Sequence, residues 1–191
     1  MEQRKKVKAL LYCTKTNLSL YKDNEQYFTM QKCEEKYNNN EDSDEMQNRI
    51  YNMMYCTKCN GFIIAECEIV SDFISPKYNY LNAVCNAGPG YILDKCHLTK
   101  SQFCNYGQGK PLYALQIQNL SHFETPKPLT FYKNSKKENI IRAPQNMCYA
   151  YDENDNEYVL ISIQPQHLVR ILNQEKTIEV RRQVLKSLKK Y

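Results

Sequence analysis

Residues 160–182 read LISIQPQHLVRILNQEKTIEVRR, and three elements follow one another inside those 23 residues. Leu160, Ile161 and Ile163 form a short β-favouring apolar run. Pro165 closes it, because proline cannot donate to a ladder but suits the first turn of a helix. Leu168, Ile171 and Leu172 then recur at spacings of three and four, which places them on one helical face, with His167, Arg170 and Asn173 elsewhere. That face is predicted to pack against a sheet. After the helix exit at Asn173-Gln174, the segment Lys176–Arg181 alternates with period two and carries β-branched residues. Read as a strand throughout, it sets Thr177, Glu179 and Arg181 on one side and Lys176, Ile178 and Val180 on the other.

Working outward, 191 residues with 42% hydrophobic composition suffice for one substantial core, and one domain is expected. No run of eighteen apolar residues occurs, and the start MEQRKKVKALLYC is too polar for a secretory signal, so a cytoplasmic protein with no membrane partner is expected. The nine cysteines are odd in number and several lie in apolar strand-like runs, which favours buried free thiols over a disulfide framework. Cys56-Thr57-Lys58-Cys59 is a C-x-x-C, but Cys96, His97 and Cys104 do not complete a familiar zinc spacing, and neither metal nor cofactor is expected.

Charge is uneven. Residues 1–8 sum to +3 through Arg4, Lys5, Lys6 and Lys8 against Glu2, and residues 176–191 sum to +5. The whole chain is also +5, so the middle is −3. Two basic ends suit an anionic partner, with solvated tails as the plain alternative. Residues 23–48 hold eight acidic residues against Lys32 and Lys36, and read as an exposed acidic insertion. Strands are predicted at Val7–Tyr12, Phe62–Val70 and Tyr113–Leu120, with a short helix at Thr99–Tyr106 and a turn at Gly88-Pro89-Gly90 in an otherwise loop-rich 71–110. Leu129–Tyr132 begins a further short element. Glu66 and Glu68 share one face of a core-like strand and are candidates to meet Lys176 or Arg181.

The run Gln174-Glu175-Lys176-Thr177-Ile178-Glu179-Val180-Arg181, after a strand and a helix, resembles the G-x-K-x-x-E-x-R signature of ASCH domains, relatives of the PUA-like RNA-binding fold, with Gln174 at the glycine position. Tyr12-Cys13-Thr14-Lys15, Asn60-Gly61 through Glu66, Tyr113–Leu120, Lys127-Pro128-Leu129 through Phe131, and Arg142-Ala143-Pro144-Gln145 through Cys148-Tyr149 are similar to a bacterial and phage subfamily. There the strand-helix-strand comes first; here it comes last. The resemblance therefore implies a circularly permuted α+β fold, a PUA-like incomplete β-barrel with peripheral helices. In it, 1–152 is the usual C-terminal part, 153–158 a polar linker and 159–191 the usual N-terminal unit. A truncated second domain, or a segment swap giving a homodimer, is the rival account.

The resemblance implies an RNA or nucleotide binding module. Lys176, Arg181, Arg182, Lys186, Lys5 and Lys6 are the candidate phosphate contacts, and the sixteen tyrosines supply stacking faces. The alternative is a small amidohydrolase acting on a modified nucleoside such as acetylated cytidine, with Lys176, Glu179 and Glu66 as catalytic candidates. In those relatives a threonine follows the lysine by three residues; Glu179 stands there here, and Thr177 lies two residues earlier. Whether the chain is an enzyme stays open at this level.

Overall fold

A computed structural model of the chain describes residues 6–23, 26–29, 57–74, 89–108, 110 and 112–188. Nine strands are described: β1 (Val7–Cys13), β2 (Leu20–Asp23), β3 (Gln26–Thr29), β4 (Thr57–Lys58), β5 (Ile63–Ile74), β6 (Leu112–Lys127), β7 (Met147–Tyr151), β8 (Glu157–Ile163) and β9 (Ile178–Arg181). Three α-helices are found among the described residues: α1 (Pro89–Cys96), α2 (Lys100–Gly107) and α3 (Pro165–Leu172). The fold is α+β. Six strands form a curled, half-barrel mixed sheet in the order β7-β8-β1-β5-β6-β9, and β3-β2-β4 form a second, small sheet. Only the β1/β8 pair is parallel in the large sheet.

The strand-helix-strand read at 160–181 supplies the frame. β8 is paired on both edges, with β7 and β1, and a core cluster covers each of its faces, so its near-continuous apolar run is required. Pro165 is buried in the first turn of α3, where its missing N–H leaves nothing unpaired. Leu168, Val169, Ile171 and Leu172 of α3 pack on Leu11, Cys13, Ala65, Cys67 and Ile161 of the sheet. The opposite face carries a second cluster, with Leu10, Tyr12 and Leu160 under Tyr132, Ile140 and Tyr158. A third lies under α1 and α2, where Ile92, Cys96 and Phe103 cover Ala114, Ile178 and Val180.

Several expectations change. Within 71–110, β5 runs on to Ile74 and Pro89 opens a helix, α1, rather than centring a turn; 75–88 lie outside the described residues. Thr99 caps α2 through a reciprocal capping box with Gln102, which places that helix where the sequence indicated. β6 extends seven residues past Leu120 because Asn119, at φ 50°, makes a bulge that lets the strand bend and continue. Leu129–Phe131 is a single 3-10 turn. Asp23 and Gln26–Thr29, read as the start of the acidic insertion, are strand; most of that segment, with Lys5 and Cys56, lies outside the described residues.

Residues 152–156 are the turn of the β7/β8 hairpin. Asp152 accepts from the backbone N–H groups of Asn154 and Asn156 at 2.9 Å each, and Asp155 takes φ 60°. The thiols of Cys13, Cys59, Cys67 and Cys96 are buried and free, and burial pushes Cys13 and Cys67 up to about 12 and Cys59 to about 11. Such thiols stay protonated and inert.

The exit of α3 is strained. Gln174 adopts φ 60° while donating its N–H to the Ile171 carbonyl at 2.9 Å. This left-handed backbone is one that glycine would take freely. Gln174→Gly is therefore expected to raise stability by roughly 0.5–1 kcal/mol, since the relieved strain exceeds the added chain entropy of glycine. Chemical denaturation reads this directly, and an unchanged or lower midpoint would contradict it.

Candidate functional site

Lys176, Glu179 and Arg181 converge. The Lys176 ammonium lies 2.6 Å from Glu179 Oε2, and Arg181 Nε lies 2.9 Å from Glu179 Oε1. All three are enclosed, with side chains 3%, 9% and 12% exposed. Strict alternation assigns Lys176 to the other face, but β9 begins only at Ile178. Lys176 belongs to the turn before it, with its N–H bonded to the Arg170 carbonyl, so its side chain is free of the strand's alternation and reaches Glu179.

Arg181 also reaches across the curl of the half-barrel sheet. Its Nη2 donates to the Ser162 carbonyl at 2.8 Å and its Nη1 to Asn146 Oδ1 at 3.0 Å. Asn146 in turn donates from Nδ2 to the Gln183 carbonyl at 2.7 Å. β9 sits at one end of the six-stranded order and β8 near the other, so these bonds join the two ends of the sheet.

The electrostatics follow from burial and neighbours. Burial alone raises the Glu179 carboxyl, but the charges of Arg181 and Lys176 override it and hold the group below its ordinary value. His167, in the first turns of α3, is pushed below its ordinary 6.5 by burial and then by the Lys176 charge. The cluster therefore contains an ionised carboxylate, two cations and a histidine disposed to remain neutral.

A cleft opens beside this network. A cavity of about 320 Å³ is lined by Gln118, Asn119, Leu120, Gln174, Lys176 and Thr177. Leu120 and Gln174 also line a larger one of about 840 Å³ that reaches Lys22, Tyr27, His122 and Glu175. The loop carrying Lys176 is pinned between them. Thr177 N–H donates to the Lys95 carbonyl at 3.1 Å, and His97 Nε2 lies 2.8 Å from the Glu175 carbonyl, which only accepts, so that nitrogen is the donor. Asn173 ties the same region to β3 through the backbone N–H and carbonyl of Tyr27, at 3.4 and 3.0 Å. The donors and acceptors around the cleft are amides, a hydroxyl and an ammonium.

The remaining sequence candidates lie elsewhere. Glu66 pairs across the sheet with Leu10 and faces the cluster of Tyr132 and Tyr158, whereas Glu179 pairs with Leu115 of the opposite face. Glu66 and Lys176 are on different sides of the sheet. Glu68 meets Lys6 at 3.0 Å and accepts from Asn119 Nδ2 at 2.7 Å, so the two strand carboxylates do not join the network. The Lys6 bond, foremost, holds the Glu68 carboxyl below its ordinary value. Arg182 is exposed and stacks over Tyr106 with its guanidinium 4.7 Å from the ring centre, and Lys186 is exposed in a terminal 3-10 turn. Burial of Lys176 and Arg181 removes both from direct contact with a surface phosphate in this conformation. Among the described residues no three His, Cys, Asp or Glu side chains are grouped to hold a metal ion, and no helix is long and apolar enough to cross a membrane.

His167, Asn146 and Ser162 escaped the sequence reading. His167 carried one usable signal, its place off the apolar face of a helix that begins at Pro165. Asn146 and Ser162 carried none, because only closure of the sheet brings them to Arg181. The chain matches no protein-family profile, no curated protein and no solved structure.

Both titrating groups of the network lose stability toward acid. The unfolded chain takes up the proton first at His167 as pH falls below its ordinary 6.5, and at Glu179 below its ordinary 4.5. Stability measured by urea unfolding is expected to decline from ~pH 7 downward, with a second, steeper loss below ~pH 5. His167→Gln is expected to flatten the upper step alone; the same slope in wild type and variant between those limits would contradict its assignment. Glu179→Gln, which leaves two cations enclosed without their carboxylate, is expected to cost about 3–5 kcal/mol. A loss under ~1 kcal/mol in the same assay would show that the cations reach water or other partners.

Proposed function

We propose that the chain is an ASCH-type, PUA-like domain in circularly permuted order, and that it binds RNA or a nucleotide with a base in the cleft beside Lys176. One observation carries this reading: the three residues of the K-x-x-E-x-R stretch meet in a single enclosed ion network whose lysine borders a cleft rimmed by hydrogen-bonding side chains. Amide and hydroxyl groups at Gln118, Asn119, Gln174 and Thr177 can pair with the edge of a base, as single-stranded recognition requires. The half-barrel sheet and the place of β8 between β7 and β1 support the permuted order, because the last 35 residues complete the sheet begun by the first.

Binding is favoured over hydrolysis on chemical grounds. A carboxyl held below its ordinary value by two cations is a weak general base. The strand glutamate that the hydrolytic alternative needs faces the other side of the sheet.

The test is calorimetric titration with nucleosides, their 5′-monophosphates and short single-stranded RNA. At least one is expected to bind. Gln118→Ala together with Thr177→Ala is expected to weaken it about tenfold, as two lost hydrogen bonds would, without lowering the melting temperature by more than a few degrees. Absence of any binding by the wild-type chain, or unaltered affinity in the double variant, would overturn the cleft as the site.

A further inference from the structure

Charge inside the ion network does not balance. Lys176 and Arg181 bring two positive charges and Glu179 one negative, so the enclosed group sums to +1. Its members are 3%, 12% and 9% exposed in that order. Arg170, whose carbonyl holds the Lys176 N–H, adds a further positive charge on the side of His167. His167 itself carries positive charge or none. Enclosed charges in folded proteins are ordinarily paired, because removing an ion from water is costly unless a counter-charge meets it.

The excess has a location. Arg181 is engaged on three sides, by Glu179 Oε1 at 2.9 Å, the Ser162 carbonyl at 2.8 Å and Asn146 Oδ1 at 3.0 Å. Lys176 has three N–H donors, and Glu179 is its one carboxylate partner among the described residues. Of the two cations, Lys176 is the one that lines the cavity of about 320 Å³. The unbalanced charge therefore borders that cavity.

Nearby carboxylates do not supply the missing charge. Glu68, which accepts from Asn119 at the cleft, is paired with Lys6 at 3.0 Å, and Asp94 is paired with Lys95 at 3.5 Å. Glu124 and Glu175 are exposed to water and border the larger cavity; among the described residues no carboxylate lines the smaller one. A buried cation short of a partner, facing a space large enough for a small molecule, points to a ligand that brings the counter-charge.

We infer that the smaller cavity takes a singly charged oxyanion carried on a flat, base-sized ring, with the Lys176 ammonium as its counter-ion; a pyrimidine carboxylate is the simplest such molecule. This rests on the cleft being a base site, and names the charge its ligand bears. One charge fits the excess of one, whereas a phosphate monoester, near −2, would overshoot it in an enclosed space. The amides and hydroxyl of the lining meet the ring's remaining polar atoms, and Ile117, Leu120 and Ile171 supply apolar contact.

The experiment is calorimetric titration of the full chain, at fixed ionic strength, with orotate (6-carboxyuracil), uracil, uridine 5′-monophosphate and acetate. Orotate is expected to bind about tenfold more tightly than uracil, as a charge-assisted contact adds, and more tightly than the other two. Lys176→Met leaves Glu179 and Arg181 as a balanced pair, so its melting temperature is expected to stay within a few degrees of wild type. In that variant orotate is expected to fall to the affinity of uracil, with uracil itself changed by less than about twofold. A measurement on the unaltered chain stands beside it: saturating orotate is expected to raise the wild-type melting temperature more than uracil at the same concentration.

The outcomes separate the two readings. Uracil binding with no gain for orotate overturns the charge and leaves the cleft as a base site. Orotate binding that is lost in Lys176→Met, without uracil binding, supports the charge and counts against a plain base as the ligand. The inference is also overturned by tighter binding of uridine 5′-monophosphate than of orotate, by equal orotate affinities of Lys176→Met and wild type, or by no binding of any probe.

Discussion

Arg181 holds the curl of the large sheet. A six-stranded sheet with free ends would leave β9 and β8 far apart along the order, yet one guanidinium donates to the Ser162 carbonyl and to Asn146 and forms an ion pair with Glu179. The planar fork of arginine suits this task, because several donors in fixed directions can satisfy acceptors from different strands at once. Enclosing that cation requires a counter-charge, and Glu179 supplies it two residues away on the same strand face. Lys176 then balances the second carboxylate oxygen from the turn before the strand. The remainder of the arrangement follows: with the seam drawn together, α3 is seated over one face of the sheet, its first turns bring His167 beside the network, and its last residues border the cleft.

Charges spent on closure are not available to a surface. The formal basicity of the C-terminal stretch includes Lys176 and Arg181, both enclosed, and Lys6 is paired with Glu68. Arg182 and Lys186 of the same stretch stay exposed. The cleft is left rich in uncharged hydrogen-bonding groups beside one enclosed ammonium.

Three of the six non-glycine residues with positive φ among those described border the cleft or hold its loop. Asn119 and Gln174 line the smaller cavity with φ 50° and 60°, and His97, at φ 52°, holds the loop between them and β9 through Glu175. None is glycine. Each is held by its surroundings rather than by preference: Asn119 by the bulge that bends β6 and by its bond to Glu68, Gln174 by the α3 exit, His97 by the end of α1. Left-handed conformations of non-glycine residues persist only where neighbouring structure over-determines them, and such positions concentrate where a surface must be shaped.

Local pattern was enough for several elements. The apolar run at 160–163, the proline at 165 and the three-and-four spacing at 168–172 determine a strand and a helix, since each records how side chains are distributed around a period of two or 3.6. Thr99 with Gln102 marks a helix start by the same local logic. The composition around Ile63–Val70 likewise marks a core strand. What sequence order does not encode is which strand faces lie together and where alternation breaks. Glu66 looked like a partner for Lys176 because both are charges beside apolar residues, but pairing of β1 with β5 and of β6 with β9 puts Glu66 and Glu179 on opposite faces. Lys176 looked like a residue of the far face until the strand was seen to begin after it. Asn146 and Ser162 became partners of Arg181 only when the curl of the sheet brought β8 and β9 together. Periodicity is a property of one segment, whereas closure, register and the sharing of a face are relations between segments, and only tertiary packing decides them.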